Sequence, residues 1–309
     1  MVTQKAGELR IDTASGPERQ ASGLSQVLSL LAHDKASVLA LSFLLVLSVA
    51  ALFAPLLIPE AELKLDFSER LVPPTLRGGH ILGTDSLGRD LLSRILMASR
   101  VSLALSAIVV VLSVAIGVVL GLIAGYFGGW FDDIIMRFVD LAMGFPSLLL
   151  ALIVIYALGP GAVNIVVVLV VTRWMLYARV VRAETLRLRR FDYVEAGRVV
   201  GGTNTWIMRK HILPNLLAVL FILASLEFAL VMLSESSLSF LGLGIQPPDA
   251  SLGLLVAQGR EYMRVAWWLM LFPGLAIFLI TMSFTILSNW LGICLDPVQR
   301  WRLTSACGE

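Results

Sequence analysis

Asp192-Tyr193-Val194-Glu195-Ala196-Gly197-Arg198-Val199-Val200-Gly201-Gly202-Thr203-Asn204-Thr205-Trp206-Ile207-Met208-Arg209-Lys210-His211-Ile212-Leu213-Pro214 decides how this chain is read. It is a basic, amphipathic segment set between two apolar runs, each near the roughly 20 residues needed to cross a bilayer. A chain built for lipid has little physical need for such an insert unless something in the water docks on it. Asp192 and Glu195 have capping-box spacing, in which acidic side chains satisfy free backbone donors at a helix start. Glu195 reads either as that cap or as a contact to a basic residue of a partner. Gly201 and Gly202 break the helix and allow left-handed backbone, and Thr203 can cap a second helix after them. Two short helices joined by a sharp bend near the membrane surface are expected. Small Ala196 and Gly197 let another protein surface come close, while Trp206, Ile207 and Ile212 give the second helix an apolar side. A basic helix resting on anionic lipid is the alternative; the central glycines argue against it.

The rest of the chain is lipid-like. Of 309 residues, 58% are hydrophobic and 15% charged, against about 45–50% and about 25% in soluble domains. A formal charge of +2 gives no basis for a nucleic-acid partner. Cys294 and Cys307 lack metal-ligand spacing and fall on the side read as cytoplasmic, so no disulfide is expected. His33, His80 and His211 are scattered, and no metal site is expected. Residues 1–26 read as a disordered polar tail. The first apolar run begins near Ala36, too late for a cleaved signal peptide, and reads as a retained, orienting helix.

Six segments have spanning length and composition: 37–58, 101–125, 138–158, 162–181, 214–234 and 269–292. The fold class is therefore an all-α polytopic membrane protein. Arg182, Arg187, Arg189, Arg190, Arg198, Arg209 and Lys210 crowd the 182–213 loop. With the basic residues of both tails they place that loop, the N-terminal tail 1–36 and the C-terminal tail 293–309 in the cytoplasm. Loops 59–100 and 235–268 then lie outside, the first also carrying an interfacial helix. In that loop Thr84, Asp85 or Ser86 is expected to cap a short helix, and Asp90 to pair with Arg94 at i,i+4. Either a structural role or docking of an external protein fits this loop, with Asp85, Arg89 and Asp90, and Gln246 of the second outside loop, as contact candidates. Pro247-Pro248 stiffens the second loop. Trp267 and Trp268 sit where an outer aromatic belt belongs.

Within the spans, Gly117, Gly121 and Gly125 share a face and permit close approach, inside this subunit or at a seam with another. Pro146 should kink the third span. Arg173 and Glu227 are ionisable groups at membrane depth, roughly 16 Å and roughly 10 Å from the outer ends of their helices. They approach each other, line a pathway, or reflect a wet interface. Glu235, just past the fifth span, reads as a rim residue or helix end, and is the third pathway candidate.

Further motifs extend the reading. Glu195-Ala196-Gly197, three residues, Gly201, nine residues, then His211-Ile212-Leu213-Pro214 is one pattern. Others are Leu82-Gly83-Thr84-Asp85-Ser86-Leu87-Gly88-Arg89-Asp90-Leu91-Leu92-Ser93-Arg94, Ala124-Gly125-Tyr126-Phe127-Gly128-Gly129, Met136-Arg137, Tyr177-Ala178-Arg179-Val180-Val181-Arg182, Ser237-Leu238-Ser239-Phe240-Leu241-Gly242-Leu243-Gly244-Ile245-Gln246-Pro247-Pro248, Phe272-Pro273-Gly274 and Leu295-Asp296-Pro297. In this order they resemble the inner-membrane permeases of ABC importers, in the dipeptide, oligopeptide and nickel branch, and there the shorter of two paired subunits. The first pattern is similar to the family's EAA loop, with Gly197 in place of alanine; Met175 stands where a proline is usual. The resemblance implies a type I importer transmembrane domain with cytoplasmic coupling helices, its core at 101–292. It implies ATPase coupling through Asp192, Glu195, Ala196, Gly197, Gly201, Thr203 and Pro214. It also implies two separate ATPase subunits carrying ATP and Mg2+, a second homologous permease, an external solute-binding protein and residence in the bacterial inner membrane. Di- or oligopeptides lead as cargo, with nickel and other solutes behind. The chain has no G-x-x-x-x-G-K-[ST], so ATP hydrolysis is expected elsewhere. A secondary transporter without an ATPase remains the alternative, though no internal repeat is visible; a membrane enzyme would need an embedded catalytic cluster, and none is apparent.

Overall fold

A computed structural model describes residues 34–58, 65–75, 79–247 and 249–295. Most of both tails, with Cys307 and His33, lies outside the described residues, as do Asp296-Pro297 and Pro248 of the quoted motifs. The described chain is almost wholly helical. Five helical runs are long and apolar enough to cross a membrane, six if one bent pair counts as a single span.

Helix α1 (Lys35–Leu57) starts at Asp34, whose carboxylate accepts from Ala36 N and Ser37 Oγ. Helix α2 (Leu91–Phe127) is one continuous rod of 37 residues. It therefore absorbs residues 91–100, where a separate interfacial helix was expected; the only short helix in the preceding loop, among the described residues, is the 3-10 turn Phe67–Glu69. Helices α3 (Gly129–Met143) and α4 (Ser147–Leu158) follow, then α5 (Ala162–Leu188). The expected third span, 138–158, is not a kinked rod. α3 and α4 meet at 90°, because Pro146 has no N–H to donate and disfavours helical backbone at the residue before it.

Helices α6 (Asp192–Val199) and α7 (Asn204–Ile207) form the basic insert. A π-turn, Met208–Ile212, joins α7 to α8 (Leu213–Phe240), with Pro214 in the first turn of α8. Helix α9 (Leu252–Glu261) and α10 (Trp268–Leu295) complete the bundle.

Helices α2 and α5 pack most closely, and the glycine ladder explains why. A Cβ on Gly121 would lie 2.6 Å from Ala178 O, and one on Gly125 2.8 Å from Arg182 O. Gly117 meets Trp174 and Tyr177 in the same way. The ladder thus serves packing within the subunit. Leu105, Val109, Ile155, Ile165, Val168 and Val231 join α2, α4, α5 and α8 in one core. Leu91, Ile95, Met232, Leu252, Trp268 and Ile280 form a second. Trp267 is half exposed, but Trp268 is buried and its Nε1 donates to Thr84 O at 3.2 Å. Only the first of the two tryptophans is placed for an interfacial belt, since the second is fixed by the 65–90 segment folding over it.

Candidate functional site

The basic insert is built from beneath. Val194, Ile207 and Ile212 are fully buried and pack with Tyr126, Tyr177, Val181 and Leu216. Arg189 Nη1 donates to the carbonyls of Gly125 and Tyr126, and Tyr126 Oη donates to Asn204 Oδ1 at 3.0 Å. Both lengths of the insert are thereby tied to the end of α2. Gly201 takes φ +90°, the left-handed turn expected, whereas Gly202 does not; it is small because Trp206 and Gly197 O crowd it. Thr203 Oγ1 accepts from Trp206 N, capping α7.

The capping-box expectation at Asp192 and Glu195 is corrected. Phe191 occupies the N-cap position, and Val194 N and Glu195 N donate to its carbonyl. Asp192 and Glu195 lie inside the first turn, where their charges still complement the positive helix end. Ala196 is exposed and Gly197 buried against His211 and Trp206. The outward surface carries exposed apolar side chains among its charges: Val199 and Val200 are each 88% exposed, and Phe191, Tyr193 and Trp206 are exposed beside Asp192, Glu195 and Arg198.

A second constellation lies among the spans. Arg173 Nη1 donates to Glu227 Oε2 at 3.4 Å, and Nη2 to Ser234 Oγ at 2.6 Å. The two charges border a cavity of about 270 Å3 walled by Met143, Phe145, Leu150 and Met175 and entered by Ser147. Arg182–Asp132 and Arg179–Asp140 ion pairs link α5 to α3 beside it.

Glu235 is not a rim residue. It is fully buried within α8, because that helix continues to Phe240 rather than ending near 234. Ser239 Oγ donates to it at 2.7 Å and Ser102 Oγ at 3.4 Å; Ser251, the cap of α9, contacts Ser239, and Leu252 N donates to Ser102 Oγ. One carboxylate thus ties α2, α8 and α9 through hydroxyls. A signal for this is present in the sequence: Ser99, Ser102, Ser106 and Ser113 recur at helical spacing along α2 and are all buried.

In the 65–90 segment, the pairing differs from expectation. Asp90, rather than residues 84–86, caps a helix, and that helix is α2: its carboxylate accepts from Ser93 N at 2.8 Å. Arg94 pairs with Asp85 at 2.8 Å, not with Asp90, and Arg89 pairs with the same Asp85 oxygen. The turn at Gly88, φ +78°, swings Asp85 over α2. His80 bridges Asp90 (3.0 Å) and Glu69 (2.8 Å). These two carboxylates, Asp90 foremost, hold the imidazole pKa above its ordinary value. Gln246 Nε2 donates to the carbonyls of Gly242 and Gly244 and stays at the surface.

The chain is similar to known membrane components of transporters. Residues 117–298 match the family model for the binding-protein-dependent transport system inner membrane component, and the chain belongs to that family. It is a permease subunit of a binding-protein-dependent ABC importer and a multi-pass protein of the bacterial inner membrane. Relatives narrow the branch. A di/tripeptide transport system permease protein of Pseudomonas aeruginosa is 38% identical over 272 residues, 86% of this chain and 89% of that protein. A glutathione transport system permease protein of Pectobacterium atrosepticum is 40% identical over 256 residues, 82% and 84% respectively. Among solved structures, an amino acid ABC transporter with histidines superposes with TM-score 0.52 at 17% identity, covering 68% of this chain and 94% of that one; this likeness concerns the fold.

Proposed function

We propose that this permease forms half of the translocation pathway of an ATP-driven importer for di- or oligopeptides, and is moved by separate ATPase subunits seated on α6 and α7. The observation that carries this is the exposed apolar face of the insert. Val199 and Val200 are exposed on a scaffold whose underside is fully buried, and exposed apolar clusters mark places where partners bind. Asp192, Glu195, Ala196, Gly197, Gly201 and Thr203 shape that face, and Pro214 starts the helix that carries its motion into the membrane. The insert and both termini lie on the cytoplasmic side in this reading, supported by the arginines of 182–213.

The partners are two ATPase subunits binding ATP and Mg2+, a second homologous permease, and an external solute-binding protein. Arg89 and Gln246 are the accessible members of the outer contact set; Asp85 and Asp90 hold the loop that presents them. Arg173 and Glu227, which border the cavity, belong to the pathway; Glu235, buried among serine hydroxyls, holds the helices at its outer end together. The peptide cargo is supported by the relatives' names. The test is co-expression with candidate ATPases, purification, and uptake of labelled tripeptide into proteoliposomes. Retention of an ATPase and accumulation only with ATP are expected; accumulation without any ATPase would make this a secondary transporter.

A further inference from the structure

The cavity between α3, α4, α5 and α8 is walled largely by apolar side chains yet carries a guanidinium and a carboxylate. Ionisable groups at membrane depth are costly and persist where they serve a passing charge. The Arg173–Glu227 contact is a single one at 3.4 Å. Guanidinium and carboxylate at their best pair through two parallel bonds of about 2.8 Å. Ser234 holds the other end of the guanidinium at 2.6 Å, and Nε–H is buried with no acceptor among the described residues. The cation is thus fixed in place, weakly engaged by its counter-ion, and has a donor to spare.

Helix α4 begins in the same cavity. Pro146 gives it no side-chain cap, and Ser147 and Leu150 of its first turn line the space. Its first amide N–H groups therefore lack helical partners and add positive potential there. Broken helices at membrane depth receive anionic groups in this way.

We propose that this cavity is a transit site for the carboxylate end of a peptide cargo, whose carboxylate takes the Arg173 guanidinium from Glu227 as it passes. The proposal rests on the peptide-import reading and names the site within it. Glu227 then accepts from the cargo's own N–H groups. A free peptide is a zwitterion, so the exchange brings no net charge into the bilayer. A volume of about 270 Å3 lies below the usual range of ligand pockets, so the site takes a terminus, not a whole peptide.

Saturation-transfer NMR on the complete permease–ATPase complex in lipid nanodiscs, without binding protein or nucleotide, tests this. Trialanine and trialanine amide are the probes. Trialanine should bind at least tenfold more tightly than the amide. Arg173→Gln should lose at least tenfold of that affinity, and Glu227→Gln should keep it. The double swap Arg173→Glu with Glu227→Arg preserves a bridge that is merely structural; it should assemble and still fail to bind trialanine. Should Arg173→Gln not assemble, the swap decides. Equal binding of acid and amide, wild-type binding by the swap, or no binding by the wild type overturns the site. Uptake by the complete importer is read separately. A wild type that accumulates trialanine but shows no terminus preference in the cavity loses only this site, whereas failure to accumulate any peptide overturns the cargo reading.

Discussion

The segment 65–90 and the insert 189–212 both stand outside the spans, and they are held in opposite ways. The first satisfies itself. Asp85 sits between Arg89 and Arg94, His80 between Glu69 and Asp90, and Thr84 between Val72 N and the Glu69 carbonyl. The second keeps its polar bonds on its underside and turns Val199, Val200 and Trp206 outward. A segment whose charges are consumed internally is a clasp on the bundle. One that leaves apolar side chains exposed has the kind of surface that partners cover.

The sharpest way to break this contrast is Asp85→Ala. It strands Arg94, which is buried and, among the described residues, keeps only Gln258 as a side-chain partner. Removing one member of a buried pair costs about 3–5 kcal/mol, so a large fall in the melting temperature of the purified subunit is expected. An unchanged melting curve would mean the clasp carries little. Val200→Asp is the mirror experiment. At an exposed position it should move stability by no more than about 0.5 kcal/mol, yet reduce retention of the ATPase in pull-down at least tenfold. A variant that retains the ATPase normally would remove the interface from this face.

The clasp should also respond to pH. Because Asp90 and Glu69 raise the His80 pKa, its contribution is complete below the ordinary histidine value of about 6.5. It is lost as pH rises through the raised folded value. The melting temperature of the wild type should therefore drop more steeply from about pH 6 to about pH 8 than that of His80→Gln; equal slopes would show that the bridge does not titrate in this window. The smallest effect is expected at Gly197→Ala. The added Cβ would lie 3.6 Å from both His211 Nε2 and Trp206, an ordinary contact, so ATPase retention should stay within about twofold of wild type, under about 0.5 kcal/mol. A loss of tenfold would show that the glycine is required for close approach of the partner.

The spans were legible because an apolar run near 20 residues is a strong signal. So were the hinge at Gly201 and the two charges at 173 and 227, which stand out against their surroundings. The break at 144–146 was only half legible. Asp132, Asp133, Arg137 and Asp140 give α3 a polar face, so hydropathy registered its last turns alone and merged them with α4. The Asp85–Arg94 pair was illegible for a different reason. Local i,i+4 logic favours Asp90, and only the left-handed turn at Gly88 brings Asp85 over the helix. Glu235 was not legible because hydropathy marks a span end near 234, while the helix runs on through a serine-rich turn in which Ser237 Oγ donates to Leu233 O and Ser239 Oγ to Glu235.

Asn204–Phe240 is a single helical run of 37 residues, about 55 Å long, against a hydrocarbon layer of about 30 Å. Trp206 stands near one end, Glu227 partway along and Glu235 near the other. Under the proposed coupling, a push on the insert acts on the same helical run that carries Glu227 and Glu235, interrupted by the π-turn at 208–212. Timing along the pathway is then a matter of gearing, set by where each side chain sits on that run.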